Sequence, residues 1–312
     1  MTDVMSELTD LCAGLRAVVQ PFLGTHAARA HAGEAVGGDV TFEIDEVAER
    51  FLEEYMRARL ASWSYYSEDR GLQGPSDPEL ILIVDPIDGT RPAAAGLESA
   101  CVSIAAARPV ATPTMADLVA GVVQEIKGGD LFAAQRGRGL VMRRASGAPL
   151  PLAPSPRTGL EGLFWNTGLR GRPLLLLSRA IEELVDATSV GGAVFELGSA
   201  TFAVTRVLTG QLDAYVDIGP AIIAAHPATE AAFRRVGNGH VLCNSPYDLA
   251  AAWLLCLEAG VPMTDADGSS LEGRALLGSD GGFQLACIVS GNETLQAELV
   301  AAVTRGIARL AG

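Results

Sequence analysis

The stretch ELILIVDPIDGT, residues 79–90, runs an apolar strand pattern into two carboxylates, Asp85 and Asp88, three residues apart on a turn that Pro86 and Gly89 constrain. Carboxylates held that close repel one another and need a proton or a cation between them. Asp, Pro and Gly are also ordinary turn formers, so the motif taken alone fits a plain turn equally well. Two more acidic positions add to it: Glu68-Asp69 directly follows the strand-like WSYYS, and Asp248 opens the helical pattern YDLAAAWLLCLEAG. An aspartate in a first helical turn ordinarily caps the helix or meets its dipole. Ala250, Ala251 and Ala252 behind it allow close approach to a neighbouring element, which would carry that carboxylate into a shared site. Oxygen donors of this kind suit a hard divalent cation, and His26, His31, His226 and His240 show no ligand spacing for a softer one.

The elements that must position these residues are legible as periodicity. Leu8, Leu11, Leu15, Val18, Val19 and Phe22 recur at helical spacing, with Pro21 expected to kink or end the helix. A second helix is predicted over Ile44, Val47, Phe51, Tyr55 and Ala58, with Asp45 near its start. Strands are expected at 63–67, at 80–84 with the acidic loop 85–90 after it, and at 100–106, 118–126 and 131–134. The proline-rich SGAPLPLAPSPRT, residues 146–158, has the composition of a connection, dividing the chain into halves 1–150 and 151–312. Beyond it, helical patterns at 174–187, 199–208, 247–259 and 293–310 alternate with apolar strand-like runs at 212–218 and 285–290, which predicts an α/β layer.

Composition narrows the function. Lys plus Arg is 23 against 37 Asp plus Glu, a net charge of -14, and Lys127 is the only lysine, so a nucleic-acid partner is not expected. A small phosphorylated substrate remains compatible if a metal cation supplies the positive charge. The five cysteines, Cys12, Cys101, Cys243, Cys256 and Cys287, form no CxxC pair, which speaks against a disulfide framework or zinc ribbon and for a reducing cytoplasm. MTDVMSELTD lacks the order of a signal peptide and the most apolar helical run, 249–259, is too short to span a bilayer, so a soluble protein with no membrane partner is expected. No GxxxxGK[ST], GxGxxG after a strand, HExxH or GxSxG occurs, which removes the NTPase, dinucleotide, zincin and serine-hydrolase readings.

Seven segments in order, GDVTFEID (38–45), SEDRG (67–71), DPIDGT (85–90), LFAAQRGRG (131–139), GSA (198–200), LDAYVD (212–217) and PYDLAAAWLLCLEAG (246–260), make the chain resemble the inositol monophosphatase family, lithium-sensitive magnesium-dependent phosphomonoesterases related to fructose bisphosphatase. The resemblance implies a layered αβαβα sandwich in the mixed α+β / α/β class, a homodimer, and two- or three-metal in-line attack of water on a small phosphate ester. It makes Glu68, Asp85 and the Ile87 carbonyl ligands of one Mg2+ and Asp85, Asp88 and Asp248 ligands of a second. Thr90 and Asp45 match the residues that orient and deprotonate the water, with Glu68 beside them, Gly89 and Thr90 offer backbone N–H groups to the phosphate, and Ser199 and Ala200 fall at a substrate-binding segment.

Departures from the pattern cluster around the substrate. The family often reads DGTTNF where this chain has DGTRPAAAG; the gained Arg91 can meet a second anionic group or pair with a surface carboxylate. A lysine usual in the family is missing from HAGEAVGGD, and Phe195 replaces a common arginine. Residues 220–245 intervene between LDAYVDIG and PYDLAAA, which displaces the family's ring-binding glutamate. Within this insertion, about 219–245, a short helix with Arg234 and Arg235 is predicted over 229–236, and His240 and Asn244 are candidate contacts at the mouth of the site. The expected substrate is therefore a phosphorylated sugar, cyclitol, nucleotide or amino alcohol rather than inositol 1-phosphate. The alternative is a non-catalytic member of the fold with a regulatory or partner-binding role.

Overall fold

A computed structural model describes residues 3–311. The chain begins with helix α1 (Val4–Val19), which gives way at Pro21 to a single 3-10 turn because proline cannot donate to the preceding turn. A hairpin of β1 (His31–Glu34) and β2 (Val40–Phe42) leads into α2 (Glu43–Arg59). Strands β3 (Ser64–Ser67), β4 (Gly71–Gln73) and β5 (Ile81–Asp88), the short helix α3 (Thr90–Ala95), and β6 (Cys101–Ala107), β7 (Leu118–Glu125), β8 (Leu131–Gln135) and β9 (Leu140–Arg143) follow. Neither helix nor strand occurs between Arg143 and Phe164. The remainder runs β10 (Phe164–Thr167), α4 (Leu174–Thr188), β11 (Ala193–Phe195), α5 (Ala200–Leu208), β12 (Ala214–Asp217), α6 (Gly219–Ala225), α7 (Glu230–Val236), α8 (Pro246–Ala259), β13 (Met263–Thr264), β14 (Cys287–Ser290) and α9 (Glu293–Ala308).

These elements stack as five layers. Helices α1 and α2 cover one face of a seven-stranded sheet of order β4-β3-β5-β6-β7-β8-β9, antiparallel except for the parallel β3–β5 pair. Helices α5 and α8 fill the space between it and a five-stranded sheet of order β11-β10-β12-β14-β13, whose outer face carries α4 and α9. Strand β6 shows why a central strand here reads as a continuous apolar run: Val102, Ile104 and Ala106 pack toward α1 and α2, while Cys101, Ala105 and Ala107 pack toward α8. Helix α8 is likewise buried almost all round, as a helix between two sheets must be. Its Ala251 backbone lies so close to β7 that a side chain at Gly121 would come within 3.3 Å of it.

One expectation changes. The segment 85–88 is not a loop: β5 continues through Asp88, pairing Asp85 with Ser103 and Asp88 with Cys101 across a register shift. The bulge lets Pro86, which has no N–H to give, sit in a ladder, and it re-aims the two aspartates. The insertion packs partly into the core. Its Ile222 and Phe233 are fully buried in the same core cluster as residues of β12 and α9, while the helix faces and turns between them stay partly exposed.

Candidate active site

The bulged end of β5 and the first turn of α8 meet at the bottom of a cavity of about 380 Å3. One carboxylate oxygen each from Asp85, Asp88 and Asp248 lies within 4.8 Å of the others. Asp248 is held at the third position of α8 by accepting from the Ser245 N–H, a reciprocal cap that Ser245 completes. Asp88 is held from the far side: its Oδ2 accepts from Ser199 Oγ (2.8 Å) and from the Thr201 N–H (2.6 Å) at the start of α5. Glu68, directly after β3, lines the same cavity, as does the backbone at Ile87, Gly89 and Thr90. Gly89 must be glycine, because its φ is +94° and a Cβ would fall 2.5 Å from the Ser99 carbonyl.

Thr90 and Asp45, far apart in sequence, form a pair. Thr90 Oγ1 donates to Asp45 Oδ1 at 2.9 Å, and Asp45 Oδ2 accepts the Phe42 N–H at 2.8 Å in the first turn of α2. Burial raises the Asp45 carboxyl to about 7, against the stabilising hydrogen bond from Phe42. The same forces act on the whole cluster. Glu68 and Asp85 are pushed well above the carboxylate range, by burial first and then by the surrounding carboxylates. Asp248 is raised to about 7 by burial and by Asp88, with the Ser245 N–H opposing.

Each residue expected at the site can now be placed. Asp45, Glu68, Asp85, Ile87, Asp88, Gly89, Thr90, Arg91 and Asp248 come together. Asp69 separates from Glu68 and turns to the Thr41 hydroxyl of β2. Ser199 and Ala200 do not line the cavity. They are buried behind Asp88, where the Ser199 hydroxyl is committed to that carboxylate and to the Phe202 N–H, so their place is behind the acidic cluster rather than against a substrate. Of the insertion, Arg234 pairs with Glu230 away from the site and Asn244 turns inward to donate to Tyr215 at 3.1 Å. His240 lies against Gly38, whose Cβ would meet its ring at 2.2 Å.

Sequence reasoning passed over three residues. Asp39 and Arg170 line the cavity and form an ion pair, and Asp39 also accepts from Arg91 Nη2 at 3.1 Å. Burial works against the Asp39 charge, but Arg170 and Arg91 prevail and hold its carboxyl below the usual range. Glu49, one turn along α2 from Asp45, is buried and accepts from Ser67 Oγ at 3.0 Å; burial raises it to about 7. The adjacent glycines of GGD flag a constrained acidic turn at Asp39, but nothing local in GLRGR marks Arg170.

The inositol monophosphatase family model matches residues 2–308. The inositol-1-monophosphatase of Mesorhizobium japonicum is 27% identical over 272 residues, covering 86% of this chain and 84% of the relative. A protein named Nus factor SuhB from Xylella fastidiosa is 28% identical over 74% of this chain and 70% of its own length. Among solved structures, the Thermotoga maritima IMPase shares the fold with a TM-score of 0.69 at 22% identity, over 98% of this chain and all (100%) of that one. A family match of this extent, on a five-layered fold with the acidic cluster assembled at its centre, makes this chain a member of the inositol monophosphatase family.

Proposed function

We propose that this protein is a Mg2+-dependent phosphomonoesterase that hydrolyses a small phosphorylated metabolite by in-line attack of water. The observation that carries the reading is the convergence of Asp85, Asp88 and Asp248 within 4.8 Å beside the Thr90–Asp45 pair in one cavity. The donor set fits a hard cation: every ligand atom in the trio is a carboxylate oxygen, and three such charges stay ionised together only with positive charge between them. Asp85, Asp88 and Asp248, with Glu68 and the Ile87 carbonyl, are the residues to hold two or three Mg2+. When bound, those ions activate the attacking water and neutralise charge on the leaving oxygen.

The chain's own groups do the rest. Thr90 Oγ1 gives its proton to the hydrogen bond with Asp45, which leaves its lone pairs to accept from a water O–H and aim that water. Asp45 is the acceptor to which the proton passes. The Gly89 and Thr90 N–H groups, at the unsatisfied start of α3, donate to the phosphate. Ser199 and Thr201 hold Asp88 Oδ2, so the other carboxylate oxygen is the one free for an ion.

Phosphate release across a panel of small phosphomonoesters, with Mg2+ or with EDTA, tests the reading. Asp88→Asn should lower kcat/KM by about 100-fold or more, since it removes a charge from the centre of the cluster. Near wild-type turnover by that variant, or turnover undiminished in EDTA, would refute it. Relatives named Nus factor SuhB favour, as the second reading, a regulatory or partner-binding role, and the absence of any Mg2+-dependent phosphate release would favour it.

A further inference from the structure

The cavity that gathers the carboxylates also has a cationic part. Arg91 on α3 and Arg170 in the turn after β10 both line it, and both reach Asp39. Two guanidinium groups share one carboxylate, which leaves a net charge of +1 (two minus one) in the group. Each arginine side chain remains 42% exposed. Arg91 Nε and Arg170 Nε and Nη2 have no protein acceptor among the described residues, so N–H groups stay free to bind a ligand.

The arrangement is braced from several directions. Arg91 lies over the Phe42 ring at 5.4 Å, and Asp39 Oδ1 accepts the Val40 N–H at 2.8 Å. The turn bearing Arg170 is fixed by the insertion. Buried Arg172 pairs with Asp217, donates to the Arg170 carbonyl, and donates to the Leu242 carbonyl at 3.0 Å. Gly171, at φ +70°, approaches so closely that a Cβ would meet the Leu242 oxygen at 2.4 Å. His240 of the same insertion packs on Gly38, next to Asp39. Segment 219–245 thus contributes to the cavity indirectly, by setting where Arg170 stands.

We propose that Arg91 and Arg170, aligned by Asp39, form a subsite for a second anionic group on the substrate, a carboxylate or a phosphate carried by the leaving group. The inference rests on the phosphomonoesterase reading for the first phosphate. A guanidinium presents a planar fork of donors that matches either anion, and pre-alignment by Asp39 lowers the ordering cost of binding it. A neutral leaving group leaves those N–H groups to water and forgoes the contact.

The test compares 3-phosphoglycerate with glycerol 3-phosphate, which differ by a carboxylate in place of a hydroxymethyl group. With Mg2+, wild-type kcat/KM should favour 3-phosphoglycerate by about tenfold or more, and Arg170→Gln and Arg91→Gln should bring that ratio toward one. The ratio is the readout, so a general loss of rate in a variant does not enter. Arg234→Gln, whose arginine pairs with Glu230 outside this cavity, should keep the wild-type ratio. A wild-type ratio near or below one, or a ratio unchanged in both variants, overturns the subsite. If neither compound is hydrolysed, the phosphatase reading is decided by the wider phosphomonoester panel, and calorimetric titration of the Mg2+-loaded protein decides the subsite separately. Tighter binding of 3-phosphoglycerate that is lost in Arg170→Gln upholds it, and equal binding of the two compounds overturns it.

Discussion

Replacing Asp248 by asparagine should make the metal-free protein more stable while disabling the site. In the folded chain this carboxyl is raised from 3.8 to about 7, by burial and then by Asp88. The folded state therefore holds the proton more tightly than the unfolded chain does. Its contribution to stability is fully present below the unfolded value near 4 and is lost as pH rises through about 7. The gap corresponds to about 4 kcal/mol at the limit where the group is fully ionised. Asparagine is close in shape to the protonated form, carries no charge, and keeps an oxygen to accept the Ser245 N–H that caps α8. In EDTA near pH 7.5 the variant should gain about 2–4 kcal/mol, seen as a rise in Tm of about 4–8 °C. Near pH 5 the lead of the variant should shrink to about 1–2 kcal/mol, or about 2–4 °C, because the folded wild type is then protonated at this position while its unfolded chain is already ionised. Adding Mg2+ near pH 7.5 should raise the wild-type Tm and leave the variant almost unmoved, since stabilisation by a ligand scales with its affinity for the native state. Scanning calorimetry in the four combinations of pH and metal measures all of this. A variant that melts at or below the wild type in EDTA near pH 7.5, or gains as much from Mg2+, refutes the picture of a cluster strained by its own charge.

The Thr90–Asp45 pair predicts a kinetic signature: Thr90→Ala and Asp45→Asn should each lower kcat by about 100-fold or more with little change in KM, and a pure KM effect in steady-state assays would remove them from water activation. The burial of the insertion predicts a stability effect. Phe233→Ala should cost about 3–5 kcal/mol in denaturant unfolding, because it empties a fully buried position in the core cluster shared with β12 and α9, and a loss under about 1 kcal/mol would show that Phe233 does not anchor the insertion.

Element types and most of the acidic motif could be read from the chain alone, since both depend on local features. Apolar residues at helical spacing produced α1, α2, α4, α5, α8 and α9 close to their observed limits, and continuous apolar runs produced β5, β6 and β7, because a backbone period needs no partner to be visible. The short strands β10 and β11 escaped, since Phe164–Thr167 and Ala193–Phe195 are too brief to establish a period and are held by their neighbours in the sheet. Motif order named Asp85, Asp88, Asp248, Glu68, Thr90 and Asp45 as one candidate set. That five of them line one cavity, with Asp45 hydrogen-bonded to Thr90 behind it, follows only from stacking α8 between two sheets and from the bulge in β5, both of which depend on packing across the layers. Tertiary structure alone turned Ser199 toward Asp88, buried Phe233, and set Arg170 beside Arg91 on Asp39. A charged side chain in a loop carries no periodic signal, and its partner is chosen by whichever distant segment the core brings within reach.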